Sequence, residues 1–322
     1  MNSEKLFIVS HAPYWHNKSR LSEKSYHIML AAVPAVLMGI IHYGFPAVAV
    51  VAFSVSCAIL WELLMNYIMK RPISIGDGNA ALIGLLFAML LPATTPWWMV
   101  LVGTLMAIVV GKQIFGGIGC NPLNPTLVAM AVLTLSWDEL LNFNGMLVNY
   151  EPGFHMFNPL AAIKFLGADA ASDYHLSGLL LGQQSGGIGS TFGLGLIIGG
   201  IYLILRGYIR WEISVSFLAG IFITALIFHL SKPELFAGPM FHLLTGYTLI
   251  GAFFIATEDS SSPVNFIPML IYGAGAGMLV ILIRNIGAFV DGVVFAVLMF
   301  NVANPLLDRI RPKALSRGIE HA

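Results

Sequence analysis

PAVAVVAFSVSCAILWELLMNYI, residues 46–68, holds a single charged side chain, Glu62, in 23 positions. A helix rises 1.5 Å per residue, so a run of about 20 apolar residues matches the hydrocarbon core of a bilayer. Working outward from this stretch, further apolar segments lie at 27–44, 79–92, 97–111, 124–136, 191–206, 212–230, 239–257, 264–283 and 288–306. The reading is an all-α polytopic membrane protein of about ten transmembrane helices. Composition agrees: 57% of the 322 residues are hydrophobic and 10% charged, with a mean hydropathy of +0.82. Soluble domains carry about 25% charged residues. So large an apolar fraction requires lipid as the solvent for much of the chain, and the formal net charge of zero argues against a nucleic-acid partner.

The first apolar stretch follows a polar segment with Lys5, Lys18, Arg20 and Lys24 and lacks the form of a cleavable leader, so the first span is expected to be retained. With the N-terminus inside, threading ten spans leaves only Lys164, Lys232 and Arg284 of the 16 basic residues outside. That bias is the positive-inside pattern. It divides the chain into a cytoplasmic segment 1–26, one membrane domain 27–306 and a cytoplasmic tail 307–322. Within the domain, halves at about 27–136 and 191–306 flank an extracytoplasmic loop, 137–190. The expected location is a bacterial inner membrane, with both termini cytoplasmic.

Two segments resemble each other. Leu82-Ile83-Gly84, Phe87 and Pro96 recur as Leu249-Ile250-Gly251, Phe254 and Pro263, each 167 residues later. Five spans per half is an odd number, so the halves are expected to be inverted repeats. Two apolar stretches, 79–92 and 124–136, are short, and the second follows a Gly/Pro-rich tract. Broken helices of this kind point to a site near the membrane midplane.

The polar candidates have both a structural and a functional reading. Asp77 precedes a short helix, where it can simply cap it. Asn121 and Asn124 are ordinary turn formers, yet irregular backbone at membrane depth must line a cavity or be buried in protein. Glu62, Glu258, Asp259 and Asp291 lie in or at the ends of spans, where carboxylates are costly unless paired or wet. Trp15, Trp97, Trp98 and Trp211 read as interface anchors. Cys57 and Cys120 are too few for an iron–sulfur cluster. No P-loop, dinucleotide fingerprint or Cys-x-x-Cys is present, and no metal-ligand spacing is visible.

The tract Gly111-Lys112-Gln113-Ile114-Phe115-Gly116-Gly117-Ile118-Gly119-Cys120-Asn121-Pro122-Leu123-Asn124-Pro125 resembles the signature of the RnfD and NqrB family of membrane subunits. Asp77-Gly78-Asn79-Ala80, Ala256-Thr257-Glu258 and Asp291-Gly292 are similar to its other motifs, in the same order. The absence of a longer N-terminal extension favours the RnfD side. The resemblance implies a subunit of an Rnf-type complex that couples ferredoxin and NAD redox to Na⁺ or H⁺ translocation. It is thus part of an oxidoreductase translocase rather than a stand-alone enzyme. It further implies FMN joined through its phosphate to a threonine, and a second, non-covalent flavin, riboflavin. Partners implied are iron–sulfur subunits, a second flavinylated subunit and a flavin transferase.

The matching threonine is Thr191, in Gly186-Gly187-Ile188-Gly189-Ser190-Thr191-Phe192-Gly193. It opens the stretch 191–206, so free helix N–H groups would face a phosphate. The threading, made from Lys and Arg alone, puts it on the extracytoplasmic side. Ser190 stands where the family has Glu or Ala, and Phe192 where Ser is common, so Ser190 is a second candidate acceptor. Gly189 and Phe192 complete the expected flavin segment, and Asp77, Asn121 and Asn124 are expected near the second flavin. Two rival functions are a cofactor-free assembly subunit and a urea-channel-like solute channel or transporter.

Overall fold

The computed structural model describes residues 21–141, 143 and 157–310. The basic side chains Lys5, Lys18, Arg20, Arg311, Lys313 and Arg317, with Trp15, lie outside the described residues. Regular structure is helical: α1 Leu21–Tyr43, α2 Phe45–Ile68, α3 Asn79–Leu90, α4 Trp97–Gln113 and α5 Pro125–Trp137. The loop helices α6 Pro159–Leu166 and α7 Leu176–Leu181 follow. The remaining elements are α8 Gly193–Leu205, α9 Trp211–Ser231, α10 Pro239–Leu244, α11 Thr248–Ile250 with its π-helical continuation Gly251–Ile255, α12 Phe266–Asn285 and α13 Val293–Leu307.

Four of these, α1, α2, α9 and α12, are long and apolar enough to cross a membrane; α3, α4, α8 and α13 are shorter apolar helices. This is a multi-pass membrane protein. Large apolar side chains such as Leu30, Leu37, Leu60, Ile223 and Ile227 point outward, as a lipid-facing surface requires.

The stretch 239–257 is not one helix. The chain breaks between α10 and α11, where Gly246 adopts φ +64°. A Cβ there would lie 2.3 Å from Asp291 Oδ2 and 2.9 Å from Arg284 Nη2, so the turn closes only around glycine. α1 begins at Leu21, ahead of the apolar stretch that starts at residue 27, because its first turns carry Glu23 and Lys24 as a polar end. α8 begins at Gly193, so Thr191 sits two residues before the helix rather than opening it.

Helices pack closely where side chains are absent. A Cβ on Gly277 of α12 would come 2.2 Å from Phe217 O of α9, and one on Gly220 2.4 Å from Ala274 O. Gly273 and Gly277 are four residues apart, the small-residue spacing that lets backbones touch in lipid. Likewise a Cβ on Gly199 of α8 would meet Ala31 O of α1 at 2.3 Å.

α3 and α11 run in opposite directions between the same two places. Asn79, at the start of α3, shares a cavity with Glu258, just past the end of α11's continuation. At the other end, the Tyr247 hydroxyl, at the start of α11, donates to Leu90 O at the end of α3 (2.7 Å). Twelve residues of α3 separate the two places by about 18 Å.

Candidate functional site

The first cavity, about 170 Å³, is lined by Asp77, Asn79, Lys112, Asn121, Asn124 and Glu258 among others. Asp77 caps α3, accepting from Asn79 N at 2.8 Å. Asn124 is the N-cap of α5: its Oδ1 accepts from Leu127 N (3.2 Å) and its Nδ2 donates to Ile255 O (3.1 Å). Asn121 donates to Glu258 Oε1 (2.8 Å) and accepts from Ser260 Oγ (2.9 Å). The two asparagines therefore stitch the Gly/Pro tract to the end of the opposite half-helix. Both π-helical segments border this cavity, through Lys112 and through Phe253 and Phe254. Such segments are enriched at functional sites.

Behind the cavity wall lies a buried ion pair that hydropathy and motif alone do not reveal. Lys112 Nζ donates to Glu62 Oε1 and Oε2 at 3.0 and 2.9 Å, with side chains 1% and 0% exposed. Ser74 Oγ donates to Glu62 Oε1 (2.6 Å) and accepts from Asn66 Nδ2 (2.9 Å). Glu62 does not snorkel to the surface, and Lys112 is not a loop charge. Asp259 pairs with Lys24 instead.

The second cavity, about 410 Å³, is at the far end of α3. Thr191, Ser190, Gly186, Gly187, Gln184, Tyr247 and Asp291 line it, with Phe143, Phe165, Phe289 and Phe295. Of the expected flavin segment, Thr191 and Ser190 line this cavity; Gly189 and Phe192 turn away. Gly189 N donates to Met89 O (3.0 Å), and the glycine packs on the Met89 side chain, where a Cβ would come as close as 2.4 Å. Phe192 fills the space beside Gly195.

The loop 184–192 is pinned to four elements. Ile188 N donates to Leu91 O after α3 (2.9 Å). The Tyr43 hydroxyl donates to Gly186 O (3.2 Å) and accepts from Gly186 N (3.1 Å). Gln184 Nε2 lies within 3.0–3.2 Å of Leu179 O, Thr191 O and Leu244 O. Tyr43→Phe would strand both polar groups of Gly186 in a buried turn, costing about 1–3 kcal/mol for an unsatisfied group. A lowered thermal midpoint in detergent is the expected result; an unchanged one would mean that water takes over the tyrosine's role.

The hydroxyls near the cavity differ in one respect. Ser190 Oγ donates to Gly187 O (3.2 Å), and Ser185 Oγ donates to Phe143 O. Thr191 Oγ1 is buried and has no hydrogen-bond partner among the described residues. A buried hydroxyl left unpaired is costly, which sets Thr191 apart from these two serines. Also lining this cavity, Asp291 accepts from Arg284 Nη2 (3.0 Å), Val293 N (3.1 Å) and Tyr247 N (2.7 Å). Arg284, expected from the threading to be an outer loop charge, is buried in the last turn of α12 and also donates to His242 O (2.9 Å). Lys164 of α6 donates to Gly287 O at 2.8 Å, and burial lowers its amine below the ordinary lysine range. Cys57 and Cys120 are both free, and no group of His, Cys, Asp or Glu among the described residues could hold a metal ion.

Known proteins share this sequence over nearly its whole length. The relative from Cronobacter sakazakii, which is the D subunit of an ion-translocating oxidoreductase complex, is 33% identical over 94% of this chain and 97% of its own. Its counterpart from Pectobacterium atrosepticum, of the same name, is 34% identical, over 94% and 96%. The D subunit of the proton-translocating ferredoxin:NAD(+) oxidoreductase complex of Clostridium ljungdahlii is 30% identical, over 95% of each chain. A family model described as NQR2, RnfD, RnfE matches residues 8–316, the segment that holds both cavities and every residue lining them, and the chain belongs to that family.

Proposed function

We propose that this chain is the D subunit of an Rnf-type complex that couples electron transfer between ferredoxin and NAD to Na⁺ or H⁺ translocation, and that it carries FMN as a phosphoester on Thr191. The observation that carries the flavin reading is that Thr191, whose buried hydroxyl has no partner among the described residues, lines the larger cavity. The neighbouring Ser190 hydroxyl is already engaged. At about 410 Å³ the cavity is within the roughly 300–1,000 Å³ of small-molecule sites. Its glycines allow a phosphate to come close, and its phenylalanines offer ring faces for stacking. Bound FMN supplies one- and two-electron chemistry; the chain binds it, orients it and keeps water from it.

Riboflavin is assigned to the smaller cavity, against Asn121, Asn124 and Asp77. At about 170 Å³ that cavity takes only part of such a group, so a neighbouring subunit would cover the rest. Iron–sulfur subunits, a second flavinylated subunit and a flavin transferase complete the partners. The ten-span, inverted-repeat arrangement belongs to the same reading. In its support, the helix starts Phe45, Trp97 and Pro125 recur at Trp211, Phe266 and Val293, which are 166, 169 and 168 residues later. The antiparallel course of α3 and α11 between the two cavities agrees with it. Thr191 then faces the extracytoplasmic side of a bacterial inner membrane, and the smaller cavity faces the cytoplasm with both termini.

Co-expression with a flavin transferase tests the flavin reading. In-gel flavin fluorescence and intact mass are expected to show one FMN on the wild type and on Ser190→Ala, and none on Thr191→Ala. No adduct on the wild type, with the transferase active on a control substrate, sinks the redox role and favours an assembly subunit.

A further inference from the structure

The Arg284–Asp291 pair forms one wall of the Thr191 cavity, and its hydrogen bonding is incomplete on the cavity side. A carboxylate has about four acceptor sites. Asp291 Oδ1 uses two, for Arg284 Nη2 and Val293 N. Oδ2 uses one, for Tyr247 N. Among the described residues one site on Oδ2 remains, and the side chain is 14% exposed while Arg284 behind it is 1% exposed. The opening is towards the cavity, which Asp291 lines together with Gly246. Gly246 lets the carboxylate seat against the turn: a Cβ on it would come 2.3 Å from Oδ2.

The cavity lining has two kinds of residue. Thr191 stands in the chain with Ser190, Gly186, Gly187 and Gln184, which are small or polar. Asp291 stands with Phe289 and Phe295, whose rings lie 4.3 Å apart at 31°, and with Tyr247, whose ring meets Phe143 edge-on. A ligand tethered by phosphate to Thr191 would stack its ring system on these aromatic side chains, which brings it beside Asp291. The oxidised isoalloxazine has one N–H donor, the imide N3–H. A single vacant carboxylate acceptor is the complement of a single ring donor.

Resting on the proposed flavin on Thr191, we propose that Asp291 is the residue that binds the isoalloxazine ring, accepting its N3–H, with Arg284 and Gly246 setting the carboxylate in place. Arg284 fixes one oxygen through a charge-assisted hydrogen bond. Tyr247 N and Gly246 fix the other at the cavity wall. A purely structural role, capping α13 and holding the 245–247 turn, accounts for three acceptor sites and leaves the fourth unused.

The test is a cycle of two changes, one in the protein and one in the ligand. Wild type and Asp291→Ala are loaded in vitro by flavin transferase from FAD or N3-methyl-FAD, whose pyrophosphate is cleaved so that the FMN portion passes to the threonine oxygen and AMP leaves, and loading is followed by intact mass. Wild type is expected to load the methylated flavin at least tenfold more slowly than FMN, and Asp291→Ala to load the two within about twofold. The FMN midpoint potential is also expected to rise in Asp291→Ala, because a carboxylate beside the ring disfavours the anionic reduced flavin. A tenfold change in that preference corresponds to about 30 mV for a two-electron couple. Equal loading of both flavins by the wild type overturns the inference, and this arm stands even if the variant does not fold. The same discrimination in Asp291→Ala as in wild type also overturns it, since the methyl group then meets something else. No FMN adduct on the wild type removes the Thr191 reading and this inference together.

Discussion

Lys112→Met is expected to destabilise the folded chain by about 3–5 kcal/mol, the cost of leaving one member of a buried ion pair without its partner. Glu62 is fully buried, and its carboxylate is held by Lys112 Nζ and Ser74 Oγ. With the ammonium gone, one serine hydroxyl remains to offset the desolvation of the carboxylate. The double variant Glu62→Met, Lys112→Met is expected to recover most of the loss, because a well-packed apolar pair of similar volume replaces a buried ion pair at little or no cost. Thermal midpoints by fluorescence-detected size exclusion in one detergent would check both. A single variant as stable as wild type would mean that water reaches Glu62, and a double variant no better than the single would point to a role beyond the pair. The pair adjoins the smaller cavity, so its loss would also disturb the Gly/Pro tract that Asn121 and Asn124 tie to residues 255–260.

Gly39→Ala should unseat the loop that presents Thr191. A Cβ at this position of α1 would lie 1.8 Å from Ile188 O and 2.8 Å from Ile188 C. Both are backbone atoms and cannot rotate away. Ile188 is held in turn, since its N donates to Leu91 O. Either α1 or the 184–192 loop must move. Overpacking of this kind costs about 1–3 kcal/mol. The expected outcome is a lower thermal midpoint together with a lower yield of covalent FMN. Gly76→Ala, where an added Cβ meets nothing within 4 Å, serves as the neutral control. A Gly39→Ala chain with wild-type stability and flavin yield would show that the loop does not depend on its seat against α1.

Much of the fold is legible because lipid imposes a simple rule. Every backbone group must be satisfied within a helix, so an apolar run of sufficient length is a helix and its ends are close to the ends of the run. Residues 46–68 correspond to α2, Phe45–Ile68, and 212–230 to α9, Trp211–Ser231. The short stretches 79–92 and 124–136 correspond to α3, which lines the smaller cavity, and α5, which lines both. The stretch 239–257 reads as continuous because its hydropathy barely changes across Thr245-Gly246-Tyr247. The break depends on Asp291 and Arg284, about 40 residues further on, which occupy the place a helical side chain would need.

The candidate sites divide in the same way. Thr191, Asn121, Asn124 and Asp77 can be named from motif and spacing, since each stands in a Gly- or Pro-rich segment where a regular helix is impossible. Tyr43, Gln184, Tyr247 and the Lys112–Glu62 pair cannot. Each is one polar residue in an apolar helix or loop, and its partner is distant in the chain: 143 residues for Tyr43 and Gly186, 50 for Lys112 and Glu62. Hydropathy sums local transfer free energies and has no term for which two distant groups will meet. By itself, then, the sequence determined the medium, the helical class, most helix ends and the hydroxyl motif, because these follow from the solvation of short segments. Tertiary structure alone decided which charges are paired, which of the hydroxyls at 185, 190 and 191 is left unbonded, and that Asp291 and Thr191 line one cavity, because satisfying a buried polar group depends on neighbours that only the packed chain supplies.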